Sequence, residues 1–78
     1  MALKHIKIRN FIAKMLEEES KNTGEILRSI NDHFRHGTNT QILGNILAKD
    51  PRFRKIGMEY VNGILSGQYK IAVWSLAP

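Results

Sequence analysis

The sequence changes its periodicity at Asp50-Pro51, and this change constrains the fold more than any other feature. Before it, apolar residues recur at helical spacing, and after it β-branched and aromatic residues dominate. The residue before a proline avoids the helical region, so a helix is predicted to end here. With 78 residues the chain has room for one modest core, and we expect a single α+β domain spanning residues 1–78.

A first helix is predicted from Leu3 to about Glu19. Its apolar positions follow the i, i+3, i+4 pattern of an amphipathic helix with one buried stripe, formed by Ile8, Phe11, Ile12, Met15 and Leu16. The glutamates at 17–19 have the wrong sign for a helix C-terminus, so they are interpreted as a solvated end that frays.

A second helix follows a short polar connection. Asn22 or Thr23 can cap it, and the segment Asn22-Thr23-Gly24-Glu25 is typical of a variant capping box. Its buried face is predicted to contain Ile26, Leu27, Ile30 and Phe34. Residues 35–37 close it, and Gly37 suits the left-handed position after a helix end.

A third helix is predicted from Thr38 to Lys49, because Thr38 and Gln41 have the spacing of a capping box. With the aliphatic residues at 42, 43, 46 and 47 turned inward, helical geometry turns five residues outward: Thr40, Gln41, Gly44, Asn45 and Ala48. A mid-helix glycine costs roughly 1 kcal/mol relative to alanine. Gly44 therefore either allows another molecule to approach closely or is a tolerated exposed glycine.

Two strands, Arg52–Val61 and Gln68–Leu76, are predicted after the proline. The six residues between them contain an Asn-Gly and a Ser-Gly dipeptide, either of which can form a tight turn. Treating all six as the loop places Phe53 opposite Leu76 and Lys55 opposite Trp74, which is the register we predict.

Several functional classes find little support in the sequence. There is no cysteine for a disulfide or a thiolate metal site, no secretory signal pattern and no run of about 20 apolar residues. His33 and His36 are one helical turn apart, but only Asp32 and His5 are candidate third ligands, so no metal site is predicted. No catalytic motif is present, and we expect a cytoplasmic protein that is not an enzyme, with no cofactor and no small-molecule ligand.

The order of three helices, the last two joined by a short Gly-containing turn, and then a β-hairpin resembles the winged helix-turn-helix superfamily. The resemblance is carried by the first helix's apolar stripe, the helix 38–49, the segment 46–57 that leads into the first strand, and the closing Ala72-Val73-Trp74-Ser75-Leu76. It implies a winged helix with a three-helix core followed by a two-stranded hairpin wing, in the order α-α-α-β-β.

Members of that superfamily usually bind duplex DNA with the third helix in the major groove and the wing on the backbone. The resemblance implies nucleic-acid contacts from Arg35, Thr38, Asn39, Thr40, Gln41, Gly44, Asn45, Lys49, Arg52, Arg54 and Lys70. Gln41 and Asn45 carry amides that can pair with adenine, although amides on a helix face are also often simply solvated. The helix face has no arginine, and the wing tip carries Ile64 and Leu65, which could insert into a groove, pack on a second subunit or fold back on the core.

Twelve Lys and Arg residues against seven Asp and Glu residues give a net charge of +5, which favours a polyanionic partner but also fits a merely basic protein. We expect a homodimeric DNA-binding protein, either a transcriptional regulator or a chromosome-associated factor, located on the nucleoid if the source is prokaryotic. The alternative is a winged-helix protein-interaction module of a transcription or replication assembly. Binding of RNA or single strands stays open.

Overall fold

A computed structural model describes residues 5–62 and 67–77. Along the chain it contains helix α1 (Ile6–Glu18), strand β1 (Lys21–Asn22), helices α2 (Thr23–His33) and α3 (Thr40–Lys49), and strands β2 (Phe53–Asn62) and β3 (Gln68–Leu76). The predicted helices and strands are therefore present with small shifts in their ends. The part of the first helix predicted at residues 3–4 lies outside the described residues.

The core lies between the three helices and the base of the hairpin. Its buried members come from every helix and from the start of β2: Ile12, Leu16, Ile26, Ile30, Leu43, Ile46, Leu47 and Phe53. The predicted inward faces are confirmed, because each helix buries two or three of its predicted residues and half-buries the others against them. Each helix is thus held by one amphipathic face, which leaves the opposite face open to solvent.

The N-terminus of α2 is held by the predicted capping box. Asn22 Oδ1 accepts a hydrogen bond from the Glu25 amide at 2.8 Å, and the Asn22 amide donates to Glu25 Oε1 at 3.1 Å. The Asn22 side-chain amide also donates to Glu59 on β2. Nearby, Trp74 Nε1 donates to Thr23 Oγ1 at 3.0 Å, so the start of this helix is tied to the sheet at two points.

The predicted N-cap of α3 is wrong by one residue, and the helix begins at Thr40 and not at Thr38. Asn39, not Thr38, caps the helix, and its side chain accepts a hydrogen bond from the Ile42 amide at 2.8 Å. Thr38 cannot do so because it belongs to the preceding turn, where its amide donates to Asn31 Oδ1 at 2.8 Å. Either polar side chain could serve as a cap, and the long-range bond to Asn31 decides between them.

The predicted fold class, a winged helix with a two-stranded hairpin in the order α-α-α-β-β, is wrong. A third strand, β1, lies between α1 and α2 and pairs antiparallel with β3, which gives a three-stranded sheet in the order β1-β3-β2. Lys21 lies opposite Trp74, and Asn22 lies opposite Val73. A strand of two polar residues carries no alternating apolar pattern, so periodicity could not reveal it.

The predicted register is confirmed at the base of the hairpin, where Phe53 lies opposite Leu76 and Lys55 opposite Trp74. A bulge between Lys55 and Gly57 was not predicted, and it shifts the pairing of the rest of β2 by one residue. The interpretations of the wing tip fall on Ile64 and Leu65, which lie outside the described residues. Among the helices that the structure describes, none has both the length and the apolar character needed to span a bilayer.

Candidate nucleic-acid interface

The outward face of α3 is a shallow polar surface. Thr40, Gln41, Asn45 and Ala48 are exposed, and Gly44 lies among them with no described atom within 4 Å of the position a Cβ would occupy. We call these five residues the α3 strip. The outward orientation predicted from the sequence is confirmed, and the small residues at 44 and 48 leave room between the two amide side chains for another molecule's backbone.

The turn between α2 and α3 fixes how the strip is presented. Gly37 has a left-handed φ of 56°, as predicted, and a Cβ at this position would lie 2.3 Å from Asn31 Oδ1. The same oxygen accepts the hydrogen bond from the Thr38 amide. Only glycine therefore fits, and the turn is locked one residue before the cap of α3.

The C-terminal end of α3 is anchored by a buried carboxylate. The Asp50 side chain, which is 2% exposed, receives a hydrogen bond from Arg9 Nη1 at 2.9 Å and another from Arg52 Nη2 at 3.0 Å. Arg52 also donates to Asn10 Oδ1 at 3.2 Å, so α1, α3 and the start of β2 meet here. We call Arg9, Asp50 and Arg52 the Asp50 cluster.

Electrostatics hold the Asp50 cluster in its charged form. Hydrogen bonds from the Arg52 side chain are the main cause that lowers the pKa of Asp50 from 3.8 to about 2, against the opposing effect of burial. The same pairing raises the pKa of Arg52. Two guanidinium groups therefore bind one carboxylate at the end of α3.

A groove of about 290 Å³ runs between α1 and α3, and we call it the α1–α3 groove. Its polar lining is His5, Arg9, Asn45 and Lys49, and its floor is Ile42 with Ile46. The sequence prediction included Asn45 and Lys49 but not His5 or Arg9. The basic residues of the first helix lie largely off its apolar stripe. This pattern could have identified Arg9 as a candidate binding residue.

The other predicted site residues lie in three places. Arg35 is exposed in the turn after α2, whereas Arg54 and Lys70 are exposed on the hairpin, Lys70 with its Nζ 5.5 Å from the centre of the Tyr60 ring. Arg52 points inward to the Asp50 cluster. Thr38 also points inward, since its Oγ1 is buried and no described group bonds to it.

The chain segments that form the α3 strip and the α1–α3 groove contain few acidic residues. Four of the seven lie in residues 17–25, at the end of α1 and the start of α2, whereas residues 38–49 contain none. The helical part of α1 that lines the α1–α3 groove likewise has only basic charged side chains before Glu17. The segments that form the strip and the groove therefore supply amides and cations. The one carboxylate next to them in the sequence, Asp50, is paired with Arg9 and Arg52.

His33, at the end of α2, packs against aromatic rings. The His33 ring stacks on Phe11 with ring centres 4.5 Å apart, and Phe34 packs edge-on against both rings. Within residues 5–62 and 67–77, no three His, Cys, Asp or Glu side chains come together as metal ligands.

Comparison with known proteins gives one family and one structural relative. The profile of DUF3860, described as a domain of unknown function with a solved structure, matches residues 3–77. A crystal structure from an uncultured marine organism, described as a "putative nucleic acid binding protein", is 46% identical, with a TM-score of 0.77 over 91% of this chain and 78% of that one. No curated protein matches the sequence. The DUF3860 description does not identify the winged helix-turn-helix superfamily, so that resemblance stays a prediction.

Proposed function

The chain belongs to the DUF3860 family, and we propose that it is a small DNA-binding protein that places α3 in the major groove of duplex DNA. A relative 46% identical in sequence carries a nucleic-acid-binding description, which supports the broader class of partner. The finer proposal, duplex DNA bound by a transcriptional regulator or a chromosome-associated factor, rests on the α3 strip. Such a partner also implies a cytoplasmic location, on the nucleoid if the source is prokaryotic.

One observation carries the proposal: the α3 strip is an exposed, shallow surface without carboxylates, and the cations Arg9 and Lys49 lie beside it in the α1–α3 groove. An α-helix with its side chains is about 10–12 Å in diameter and the major groove is about 12 Å wide, so α3 can enter the groove. The small residues Gly44 and Ala48 let the helix backbone approach the base edges.

Specific reading is assigned to two amides. Gln41 and Asn45 are one turn apart on the exposed face of α3, and each can pair in bidentate fashion with the N6 and N7 atoms of an adenine. Thr40, next to Gln41, offers a hydroxyl to a base or to the backbone. We therefore expect a preference for sites that contain adenine at two positions spaced by one helical turn of α3.

Affinity is assigned to cations around the strip. Lys49 lies at the end of α3 and lines the α1–α3 groove together with Arg9. Arg35 at the other end of α3, and Arg54 with Lys70 on the hairpin, are exposed and can reach flanking phosphates. Phosphate contacts of this kind hold the helix in register but carry no sequence information.

Homodimer formation is part of the proposal. A single ten-residue helix contacts few base pairs, and specific sites of helix-turn-helix proteins are often paired half-sites that match a protein two-fold axis. Two copies double the number of base contacts without lengthening the chain. Analytical ultracentrifugation with and without a duplex carrying two half-sites measures the stoichiometry directly.

A second function, binding to another protein, is favoured by the exposed apolar residues of the hairpin. Ile56, Met58, Tyr60 and Tyr69 are about half or more exposed, although large apolar side chains are mostly buried in a small monomer. A protein partner on the hairpin would bind with little dependence on salt, in contrast to DNA. Met58→Ser distinguishes the two: it should weaken binding to a protein partner and leave the affinity for duplex DNA unchanged, because the DNA proposal assigns no contact to Met58.

The proposal is tested by fluorescence anisotropy with labelled duplex DNA, single-stranded DNA and duplex RNA at low salt. A duplex DNA selected for tight binding is expected to bind with higher affinity than single-stranded DNA or duplex RNA. The double change Gln41→Ala with Asn45→Ala should reduce sequence preference by about 1 to 3 kcal/mol per lost adenine contact. Arg28→Gln, which removes an exposed cation on α2, is the matched control. Equal sequence preference in the double variant and the control would show that Gln41 and Asn45 do not recognise bases.

A further inference from the structure

A second groove, of about 360 Å³, lies between the N-terminus of α1 and the turn that joins α2 to α3. We call it the turn groove. Ile6, Ile8 and Phe34 form its apolar surface, and Ile6 is 48% exposed because nothing described covers its side chain. Exposed apolar concavities of this size are typical of sites that take small ligands.

The rim of the turn groove is basic. Lys7 on α1 and Arg35 in the turn are exposed, and His5 and His36 complete the lining at its two sides. None of the described residues that line it is acidic. An apolar surface bordered by cations is complementary to a molecule that has an apolar body and a single negative charge.

We propose that the turn groove binds a small organic carboxylate with an apolar tail, such as a medium-chain fatty acid. The alkyl chain lies on Ile6, Ile8 and Phe34, where it removes apolar surface from water. The carboxylate lies at the rim and accepts charge-assisted hydrogen bonds from Arg35 or Lys7. The site lies apart from the α3 strip, although it shares Arg35 with the proposed phosphate contacts, and octanoate binding does not require the DNA proposal to hold.

The position of the turn groove gives binding a structural consequence. Phe34, Arg35, His36 and Gly37 line it, and Gly37 is the left-handed residue that sets the turn before α3. A ligand held by these residues contacts the segment that orients the α3 strip. The amide signals of the turn are therefore expected to report on binding together with those at the start of α1.

The test is a titration of the ¹⁵N-labelled chain with octanoate, followed by ¹H–¹⁵N correlation spectra, with octanol as the uncharged control of matched length. We expect saturable shifts confined to amides of residues 5–8 and 34–37, and at least several-fold weaker binding of octanol. Arg35→Gln and Lys7→Gln should each weaken octanoate binding several-fold. Lys55→Gln, which removes an exposed cation on β2, should leave it unchanged.

A further variant tests the apolar surface. Ile6→Glu places a carboxylate at the most exposed apolar position of the turn groove and should abolish octanoate binding, while its correlation spectrum still shows a folded protein. Shifts that fail to saturate, that spread over the whole chain, or that are the same for octanoate and octanol would overturn the proposal. So would equal octanoate affinities in the Arg35, Lys7 and Lys55 variants.

Discussion

Replacing Asp50 by asparagine tests the physical role of the Asp50 cluster. The substitution keeps the shape of the side chain but removes the charge that pairs with Arg9 and Arg52. The Arg9 and Arg52 guanidinium groups then lose the carboxylate that they share, Arg9 at a mostly buried position and Arg52 at a partly exposed one. We expect Asp50→Asn to fold but to be clearly less stable than the natural chain.

The magnitude follows from the pKa of Asp50. A fall from 3.8 in the unfolded chain to about 2 in the folded protein corresponds to about 2 kcal/mol of stabilisation at neutral pH. Breaking a fully buried ion pair costs more, roughly 3 to 5 kcal/mol, but Arg52 is 40% exposed and can be resolvated. A loss of about 2 to 3 kcal/mol is therefore expected, or on the order of 10 to 20 °C in Tm for a domain of this size.

The pH dependence gives an independent check. Because folding lowers the pKa of Asp50, its contribution is fully present above about pH 4 and is lost as the pH falls towards 2. The natural chain should lose unfolding free energy over this range as Asp50 becomes protonated. Asp50→Asn has no carboxylate at this position, so it should not show this part of the decrease. The difference in unfolding free energy between the two proteins should therefore shrink below pH 4.

Urea unfolding followed by the fluorescence of Trp74 measures these free energies, since the indole is hydrogen-bonded to Thr23 only in the folded chain. Glu17→Gln, a change of an exposed carboxylate at the end of α1, is the matched control and should change stability by less than about 0.5 kcal/mol. A comparably small change in Asp50→Asn at pH 7, or a difference that does not shrink in acid, would refute the reasoning.

Substitutions at three other positions, Gly37, Asn22 and Gly44, test local features by urea unfolding, and those at Gly44 also by duplex binding. Gly37→Ala should cost roughly 1 to 3 kcal/mol because of its left-handed φ and its approach to Asn31, and combining it with Asn31→Ala should not restore the full loss, since the φ remains strained. Asn22→Ala removes the capping box shared with Glu25 and should cost about 1 to 2 kcal/mol; an unchanged midpoint would show that the cap is not stabilising. Gly44→Ala should stabilise α3 by up to about 1 kcal/mol because nothing described obstructs a Cβ, whereas Gly44→Leu should keep the fold and weaken duplex binding; equal binding by both variants would make the glycine incidental.

The sequence was sufficient where a pattern was local and repeated. The inward faces of all three helices followed from apolar spacing, and the pairing of Phe53 with Leu76 and Lys55 with Trp74 followed from choosing the longer loop. The capping box at Asn22 was identified because both partners lie within four residues. In each case the interaction that decides the structure lies within one element or between two neighbouring ones.

The sequence was insufficient where long-range contacts decide. The strand at Lys21 exists because it meets β3, about fifty residues later in the chain, and the cap at Asn39 because Asn31 takes the Thr38 amide. Asp50 was interpreted only as a helix end before proline. Its nearby partner Arg52 was assigned to phosphate instead, and its other partner, Arg9, is 41 positions away. The same distance hid the α1–α3 groove, whose two sides come from helices separated by α2.

A salt titration of duplex binding tests the central claim most directly. Four exposed cations of each subunit, Arg35, Lys49, Arg54 and Lys70, are assigned to phosphates, so log K should fall with log salt concentration with a slope of roughly −3 to −4 for each bound subunit. Lys49→Gln should make this slope shallower by about one for each bound subunit and leave sequence preference unchanged. Undetectable binding to duplex DNA at low salt, or binding that salt does not weaken, would contradict the account.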